Sequence, residues 1–217
     1  MNNIIHEQTD DAIATFIFAH GAGAGKDHEF MVEITQMLLA RKVNVIRFDF
    51  PYMAKRLVDS KKYPPNRMPV LLDAYQSVVD SYQDELPLFI GGKSMGSRVA
   101  MTLLAENDGR NGKIKGAICL GYPFHPPKKL DKLRLTPLQE NKRNTLICQG
   151  SRDTLGNQEE ILGYSLPSHY QLCFLPDGDH DLKPRVKSGH THLAHKEKAV
   201  NEMVTFIRQH CEQSKDE

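Results

Sequence analysis

A tight turn between an apolar segment and a helical pattern constrains the fold of this chain more than any other feature. Residues 87–90 form a short apolar segment of the kind found in strands that are buried on both faces. Residues 99–104 place small and apolar side chains at helical spacing. Between them, residues 92–96 read Gly-Lys-Ser-Met-Gly, the G-x-S-x-G pattern of a nucleophile elbow, whose strained turn exposes the serine hydroxyl above the sheet. The pattern predicts that Ser94 is a nucleophile; an ordinary turn serine is the alternative.

Strand and helix patterns alternate along the rest of the chain. Besides the segment before the elbow, the predicted strands lie at residues 12–19, 43–50, 114–120, 144–150 and 171–175. Amphipathic patterns predict helices between them, whereas residues 51–65, rich in Tyr, Pro and Lys/Arg, are interpreted as a loop. The alternation predicts a three-layer α/β fold, with a mostly parallel sheet of six to seven strands, helices on both faces and no lid domain.

Length and charge narrow the class of protein. A chain of 217 residues suits one well-buried domain, so we expect residues 1–217 to form a single domain. With 28 Lys and Arg against 27 Asp and Glu, the net charge of +1 predicts neither a nucleic-acid nor a membrane partner. We recognise no signal peptide or transmembrane span, and the four cysteines form no C-x-x-C pair. These features lead us to expect reduced thiols and a cytoplasmic location.

The glycine-rich segment at residues 20–25 follows the first predicted strand and reads His-Gly-Ala-Gly-Ala-Gly. A phosphate-binding P-loop would need a glycine at His20 and a hydroxyl residue at Asp27, so nucleotide binding does not fit the spacing. A His-Gly pair after an early strand is typical of an oxyanion loop. We therefore predict that the backbone N–H groups of Ala22 and Met95 form an oxyanion hole, with a flexible glycine-rich turn as the alternative.

Two further side chains with suitable chemistry follow predicted strands. Asp153 comes shortly after the strand at residues 144–150, and His180 after the strand at residues 171–175. Because the carboxyl ends of parallel strands meet at one edge of a sheet, both can lie close to Ser94. A serine hydroxyl needs a neighbouring base, which an imidazole supplies, and a carboxylate orients that imidazole. The chain order Ser, Asp, His predicts a catalytic triad of Ser94, Asp153 and His180.

Other residues near the predicted triad could replace one of its members or form a different kind of site. Asp177, Asp179 and Asp181 surround His180, and any of them could orient its ring instead of Asp153. Residues 190–195 contain the pattern H-x-H-x-x-H, which could hold zinc. This segment is rich in Lys, Gly and Ser, and no Cys or carboxylate is placed to complete a site, so we expect a solvated loop and helix start.

Two basic residues flank the serine. Lys93 directly precedes Ser94, and we expect it to pair with a carboxylate such as Asp49. Arg98 lies one helical turn after Ser94 and could also pair with a carboxylate or bind an anionic substrate, with the structural role favoured.

The chain is similar to α/β-hydrolases. More narrowly, it resembles the small lidless group that includes testis-expressed protein 30 and the hydrolase-like domain of the third subunit of the NSL acetyltransferase complex. The matching segments span most of the chain, at residues 20–25, 48–53, 91–96, 121–127 and 178–180. The resemblance implies a dienelactone-hydrolase-like architecture. Candidate substrate-pocket residues within these segments are His20, Gly21, Tyr52, Tyr122 and His125.

These motifs lead us to expect a serine hydrolase. It would act on a small-molecule ester, thioester or related acyl compound through an acyl-enzyme, most simply as a carboxylic ester hydrolase, and without a cofactor or metal ion. The alternative is a non-catalytic protein-interaction module on a hydrolase fold, because a fold does not determine a function.

Overall fold

Seven strands form one sheet at the centre of the molecule. The structure is a computed structural model and describes residues 4–106 and 110–212. The strands are β1 Ile4–Glu7, β2 Ala14–Ala19, β3 Val43–Phe48, β4 Leu88–Lys93, β5 Ile114–Leu120, β6 Thr145–Gly150 and β7 Tyr170–Leu175. They lie in the order β1-β3-β2-β4-β5-β6-β7, and β1 alone among them is antiparallel to its neighbour.

Helices cover both faces of the sheet. They are α1 Glu29–Leu39, α2 Pro51–Asp59, α3 Met68–Ser81, α4 Met95–Glu106, α5 Thr136–Glu140, α6 Gln158–Leu162 and α7 His192–Glu212. Buried side chains of α1 and α7 pack on one face, and those of α2 to α6 pack on the other. The predicted fold class, a three-layer α/β arrangement, is confirmed, and no lid domain occurs among the described residues.

The two faces explain why the central strands are apolar along their whole length. Every residue of β2 is buried. Because successive side chains of a strand point to opposite faces, Phe16 and Phe18 pack beside α1 and α7, whereas Ile17 and Ala19 pack beside α3 and α4. A strand covered on both sides therefore shows no alternation of polar and apolar residues.

The register of the parallel strands brings their carboxyl ends to one edge. Ala19, the last residue of β2, lies beside Gly92 of β4, and Gly150, the last residue of β6, lies beside Leu175 of β7. The segments that follow these four strands therefore emerge at the same edge of the sheet. This is the edge where ligands bind in open α/β sheets.

One local prediction needs correction, and one strand was missed. The segment at residues 51–65 is not wholly a loop, since α2 begins at Pro51, where the missing N–H costs no helical hydrogen bond. The helix is amphipathic, but it is short, polar overall and buries only Tyr52 and Met53, which is why its segment was interpreted as a loop. The strand β1 was not predicted either, because its residues are exposed or half-buried and its structure depends on antiparallel pairing with β3.

Two further expectations concern the state of the cysteines and the presence of a membrane-spanning helix. Cys119, Cys148, Cys173 and Cys211 are free thiols. No helix within residues 4–106 and 110–212 has both the length and the apolar character needed to cross a membrane.

Candidate active site

Ser94 lies in a strained turn between β4 and α4. Its φ angle is 54°, in the left-handed region that costs a non-glycine residue about 1–2 kcal/mol. Glycine is required on both sides: a Cβ on Gly92 would lie 2.5 Å from the carbonyl carbon of Gly96, and a Cβ on Gly96 would lie 2.3 Å from the carbonyl oxygen of Ala19. The G-x-S-x-G pattern thus lets α4 begin against the end of β2, and the strained turn presents the hydroxyl.

A chain of hydrogen bonds joins the three residues of the predicted triad. The hydroxyl oxygen of Ser94 lies 2.7 Å from Nε2 of His180, and Nδ1 of His180 lies 2.8 Å from Oδ2 of Asp153. A carboxylate only accepts, so Nδ1 carries the proton and donates it to Asp153. Nε2 is then unprotonated and accepts a hydrogen bond from the Ser94 hydroxyl. This is the tautomer that a general base needs.

The carboxylate of Asp153 is fully buried and has three hydrogen-bond donors. Besides the ring of His180, Nε2 of Gln149 donates to Oδ2 at 2.8 Å, and the N–H of Leu155 donates to Oδ1 at 2.8 Å. These bonds fix the orientation of the buried carboxylate. Sequence reasoning missed Gln149, whose one signal is a polar amide that follows three apolar residues near the end of β6.

The three alternative aspartates have other partners. Asp177 accepts hydrogen bonds from the backbone and the side chain of Arg185, which lower the pKa of Asp177 to about 2. Asp179 accepts from the N–H groups of residues 181 and 183. Asp181 pairs with Lys93 at 3.2 Å. Among the described residues, Asp153 is the carboxylate that contacts the ring of His180.

Lys93 does not pair with Asp49, as its sequence position suggested. Asp49 instead pairs with Nζ of Lys26 at 3.1 Å. The ammonium of Lys93 donates to the backbone carbonyl oxygen of His180 at 2.7 Å, and burial lowers the pKa of Lys93 while the charge of Asp181 opposes this effect. Lys93 therefore connects the turn that carries Ser94 to the loop that carries His180.

The glycine-rich loop is held by two buried aromatic side chains. The hydroxyl of Tyr52 lies 3.0 Å from the carbonyl oxygen of Ala22. His20 accepts a hydrogen bond on Nε2 from the N–H of Phe50 at 3.0 Å, and burial lowers the pKa of His20, so its ring is neutral. The N–H of Ala22 has no partner among the described residues. The N–H of Met95 belongs to the first residue of α4 and has no carbonyl one turn earlier in that helix.

Two clefts meet at Ser94. The first, the lysine cleft, has a volume of about 370 Å³ and is lined by His28, Phe30, Lys93 and His180 among others. The second, the arginine cleft, has a volume of about 500 Å³ and is lined by Arg67, Arg98, Arg134 and Met95 among others. Ala22 and Ser94 line both clefts, so a substrate bound at the hydroxyl can extend in either direction.

Of the five candidate pocket residues, one lines a cleft and four are buried behind the cleft walls. Gly21 lines the lysine cleft. His20, Tyr52, Tyr122 and His125 are buried and line neither cleft. Tyr122 donates its hydroxyl hydrogen to the carbonyl oxygen of Arg134 at 2.9 Å, and Nε2 of His125 lies 3.1 Å from Glu160. These side chains support the loops that form the clefts.

The ring centroids of His190 and His195 lie 5.3 Å apart, but the other contacts of the histidines at residues 190–195 differ. His190 is exposed, and Nε2 of His192 contacts the carbonyl oxygen of Asp181. His195 is buried, contrary to the expectation of a solvated segment, and its Nδ1 contacts the carbonyl oxygen of Leu182 at 2.8 Å. Within the described part of the chain, no group of three His, Cys, Asp or Glu side chains is arranged to hold a metal ion.

Solved structures of other proteins share this fold. Est1E from Butyrivibrio proteoclasticus, in a complex with ferulic acid, superposes with a TM-score of 0.71 at 16% identity, covering 95% of this chain and 96% of that chain. Dienelactone hydrolase from Anabaena variabilis gives a TM-score of 0.68 at 16% identity, covering 91% and 88%. An α/β serine hydrolase without a lid from Xanthomonas campestris gives a TM-score of 0.62 at 13% identity, covering 97% and 88%.

A family model identifies the group to which the sequence belongs. The model described as an alpha/beta hydrolase domain matches residues 12–208, which include the elbow, the glycine-rich loop and all three residues of the hydrogen-bonded chain. The match spans most of the 217 residues. This chain is a member of the α/β hydrolase family.

Proposed function

We propose that this protein is a serine hydrolase that cleaves a small ester or thioester through an acyl-enzyme. The observation that carries the proposal is the continuous hydrogen-bonded chain from Ser94 through His180 to Asp153. A buried carboxylate, an imidazole in the required tautomer and a hydroxyl in a strained turn together have the chemistry of nucleophilic acyl transfer.

In the first half of the reaction, Ser94 attacks the carbonyl carbon of the substrate. Nε2 of His180 takes the hydroxyl proton as the new C–O bond forms, and the negative charge of Asp153 stabilises the imidazolium. His180 then gives the proton to the leaving group as the C–O or C–S bond breaks. Ser94 is left acylated, and the ring of His180 is neutral again.

The negative charge on the carbonyl oxygen of the tetrahedral intermediate needs donors. We assign this role to the N–H groups of Ala22 and Met95, the first without a partner among the described residues and the second at the start of α4. The positive end of the α4 dipole adds to the stabilisation. Removing one such donor in other hydrolases costs about 3 kcal/mol of transition-state stabilisation.

In the second half of the reaction, water replaces the leaving group. His180 takes a proton from this water, which attacks the acyl carbon of modified Ser94. Collapse of the second intermediate returns the proton to the oxygen of Ser94 and releases the acid. The two open clefts beside Ser94 give water and product access.

The structural neighbours agree with this chemistry. They are Est1E bound to ferulic acid, a dienelactone hydrolase and an α/β serine hydrolase without a lid. At sequence identities of 13–16%, these neighbours support the fold assignment and do not identify a substrate. The assignment of ester or thioester substrates therefore depends on the site of this chain.

A fluorophosphonate probe followed by intact-mass spectrometry tests the proposal. We expect one adduct on the wild-type protein, located on Ser94 by peptide mapping and absent from Ser94→Ala. Ser151→Ala is the matched control, since Ser151 also follows a strand at this edge but donates no hydrogen bond to His180, and it should be labelled like the wild type. A folded wild-type protein that forms no adduct, or forms one elsewhere, would favour the alternative of a non-catalytic interaction module.

A further inference from the structure

The arginine cleft carries an unbalanced positive charge. Three of its lining residues are Arg67, Arg98 and Arg134, and no Asp or Glu is among the described residues that line it. The remaining walls include apolar side chains of Met68, Leu71, Met95 and Leu155. A cleft with this lining suits a ligand that has an apolar body and a negatively charged end.

The side chain of Arg98 lies one helical turn from Ser94 and has no partner in the described part of the chain. Its Nε is buried without a hydrogen-bond acceptor. Arg67 likewise forms no ion pair there, and the side chain of Arg134 has one long hydrogen bond, 3.4 Å from Nη1 to the carbonyl oxygen of Pro123. Arg98 therefore pairs with no carboxylate of the described residues, contrary to the expectation from the sequence.

Other buried cations of this protein do have carboxylate partners. Lys26 pairs with Asp49, and Lys93 pairs with Asp181. Arg47, which is also buried, pairs with a glutamate of β1. Since a partly buried charge without a partner destabilises a fold, its persistence in one cleft needs another explanation.

The charges in the cleft also act on one another. Burial, and after it the positive charge of Arg98, lower the pKa of Arg134. Such like-charge repulsion is relieved when an anion binds between the guanidinium groups. A guanidinium recognises a carboxylate with two parallel hydrogen bonds, which also fixes the orientation of the ligand.

The position of His180 decides which part of a substrate enters this cleft. His180 lines the lysine cleft and does not line the arginine cleft. A leaving group must receive its proton from His180, so it departs through the lysine cleft. The acyl chain of a substrate attacked by Ser94 then extends into the arginine cleft, along its apolar walls and toward Arg98.

We propose that the arginine cleft binds a carboxylate at the far end of the acyl group, so that the substrates are monoesters or monothioesters of dicarboxylic acids. This inference rests on the proposed function, because it uses the position of the acyl group on Ser94. The methylene chain packs against Met95 and Leu155, and the terminal carboxylate accepts hydrogen bonds from Arg98 and Arg134.

The test compares two esters that differ in one charge. They are 4-nitrophenyl hydrogen adipate and its neutral methyl ester, each measured against its spontaneous hydrolysis. We expect kcat/KM to be about tenfold or more higher for the anionic ester, since hydrogen bonds to charged groups are the stronger ones. Added salt should reduce this ratio, because it screens charges in an open cleft. Equal rates, or a preference for the neutral ester, would overturn the inference and leave the proposed function standing.

Variants assign the preference to particular residues. Arg98→Met should lower the ratio of anionic to neutral kcat/KM about tenfold, and Arg98→Lys should restore part of it. Arg134→Met, at a residue on a loop, gives an independent reading if Arg98→Met folds poorly. Arg110→Gln is the matched control, because Arg110 is an exposed arginine paired with Asp80 and should keep the wild-type ratio. An unchanged ratio in both Arg98→Met and Arg134→Met would contradict the assignment.

A binding measurement separates this inference from catalysis. Ser94→Ala removes the nucleophile but retains both clefts, so calorimetry can compare monomethyl adipate with dimethyl adipate without turnover. We expect the monoanion to bind about tenfold more tightly, with a loss in the double variant Ser94→Ala, Arg98→Met. Equal binding of the two esters would overturn the inference even if neither aryl ester is hydrolysed. Failure of the proposed function is read separately, from the labelling of Ser94.

Discussion

The ammonium of Lys93 lies 2.7 Å from the backbone carbonyl oxygen of His180. Lys93 is the last residue of β4 and directly precedes Ser94. The end of β4 therefore presents the Ser94 hydroxyl and also holds the backbone of His180, whose ring accepts a hydrogen bond from that hydroxyl. Asp181, the next residue in the loop, pairs with the same ammonium at 3.2 Å. Lys93 is therefore a positioning residue for His180.

Replacement of Lys93 by Met should lower kcat with little change in KM. The apolar side chain retains most of the volume but releases the loop of His180, and a displacement of about 1 Å can cost about a hundredfold in rate. Steady-state kinetics on an ester that the wild type hydrolyses measure the two constants. Lys196→Met is the control, because Lys196 is also buried but pairs with Glu33 away from Ser94. An unchanged kcat with a raised KM would show that Lys93 binds substrate instead.

Replacement of Asp153 by Asn should reduce kcat by about 10⁴ without unfolding the protein. The amide favours the wrong tautomer of His180, because it can donate a hydrogen bond to Nδ1. Asp177→Asn and Asp179→Asn should each cost much less, since their carboxylates bond to other groups. Circular dichroism verifies folding, and steady-state kinetics give kcat. If Asp153→Asn retains a tenth of the activity while Asp177→Asn loses it, the orienting carboxylate has been misassigned.

Replacement of Gly96 by Ala should destabilise the fold. The new methyl group would lie 2.3 Å from the carbonyl oxygen of Ala19. Because both Gly96 and Ala19 would have to move their backbones, the clash is hard to relieve. Overpacking costs about 1–3 kcal/mol, which exceeds the gain of about 1 kcal/mol that alanine brings to a helix. Thermal unfolding should show a lower Tm. Gly112→Ala is the control, since its Cβ would meet no atom within 4 Å, and an equal Tm for both variants would refute the steric argument.

The contact between Asp177 and Arg185 should make the free energy of unfolding depend on pH in the acidic range. Its hydrogen bonds lower the pKa of Asp177 to about 2, below the value in an unfolded chain. Between these two values the unfolded state binds more protons, so the stabilisation is complete above about pH 5 and is lost as the pH falls through the folded pKa. Asp177→Asn should therefore lower the free energy of unfolding above pH 5.

Urea unfolding at a series of pH values measures this dependence. The difference between the wild type and Asp177→Asn should shrink steadily as the pH falls from about 5 toward 2. Asp131→Asn provides the control, because Asp131 is exposed and has no ion pair among the described residues. A difference between the wild type and Asp177→Asn that stays constant with pH would mean that the contact stabilises the fold independently of the charge on Asp177.

The sequence alone predicted the layered sheet and the place of the elbow. A central strand such as β2 is apolar throughout because both of its faces are covered, and the two glycines around Ser94 are required by close backbone contacts. The rule that parallel strands end at one edge also predicted that Asp153 and His180 would lie near Ser94. Their hydrogen bonds are observed, and their catalytic roles stay predictions until they are measured.

Two short elements became visible only in the tertiary structure. The strand β1 is stabilised by pairing with β3, and α2 buries only two of its nine residues. The four residues of β1 are too few to show a periodic pattern, and α2 is amphipathic but short and polar overall, so neither was recognised from the sequence.

Outside the chain from Ser94 through His180 to Asp153, the partners of the polar side chains around the site were decided by the tertiary structure. Strand and helix patterns depend on neighbours within a few residues, and turn chemistry does as well, so they can be read from the chain. Lys93 reaches a residue 87 positions away, Gln149 supports the carboxylate of Asp153, and Arg98 meets no carboxylate among the described residues. Such partners depend on which elements become adjacent and on how far each side chain extends, and neither property is encoded in the local sequence.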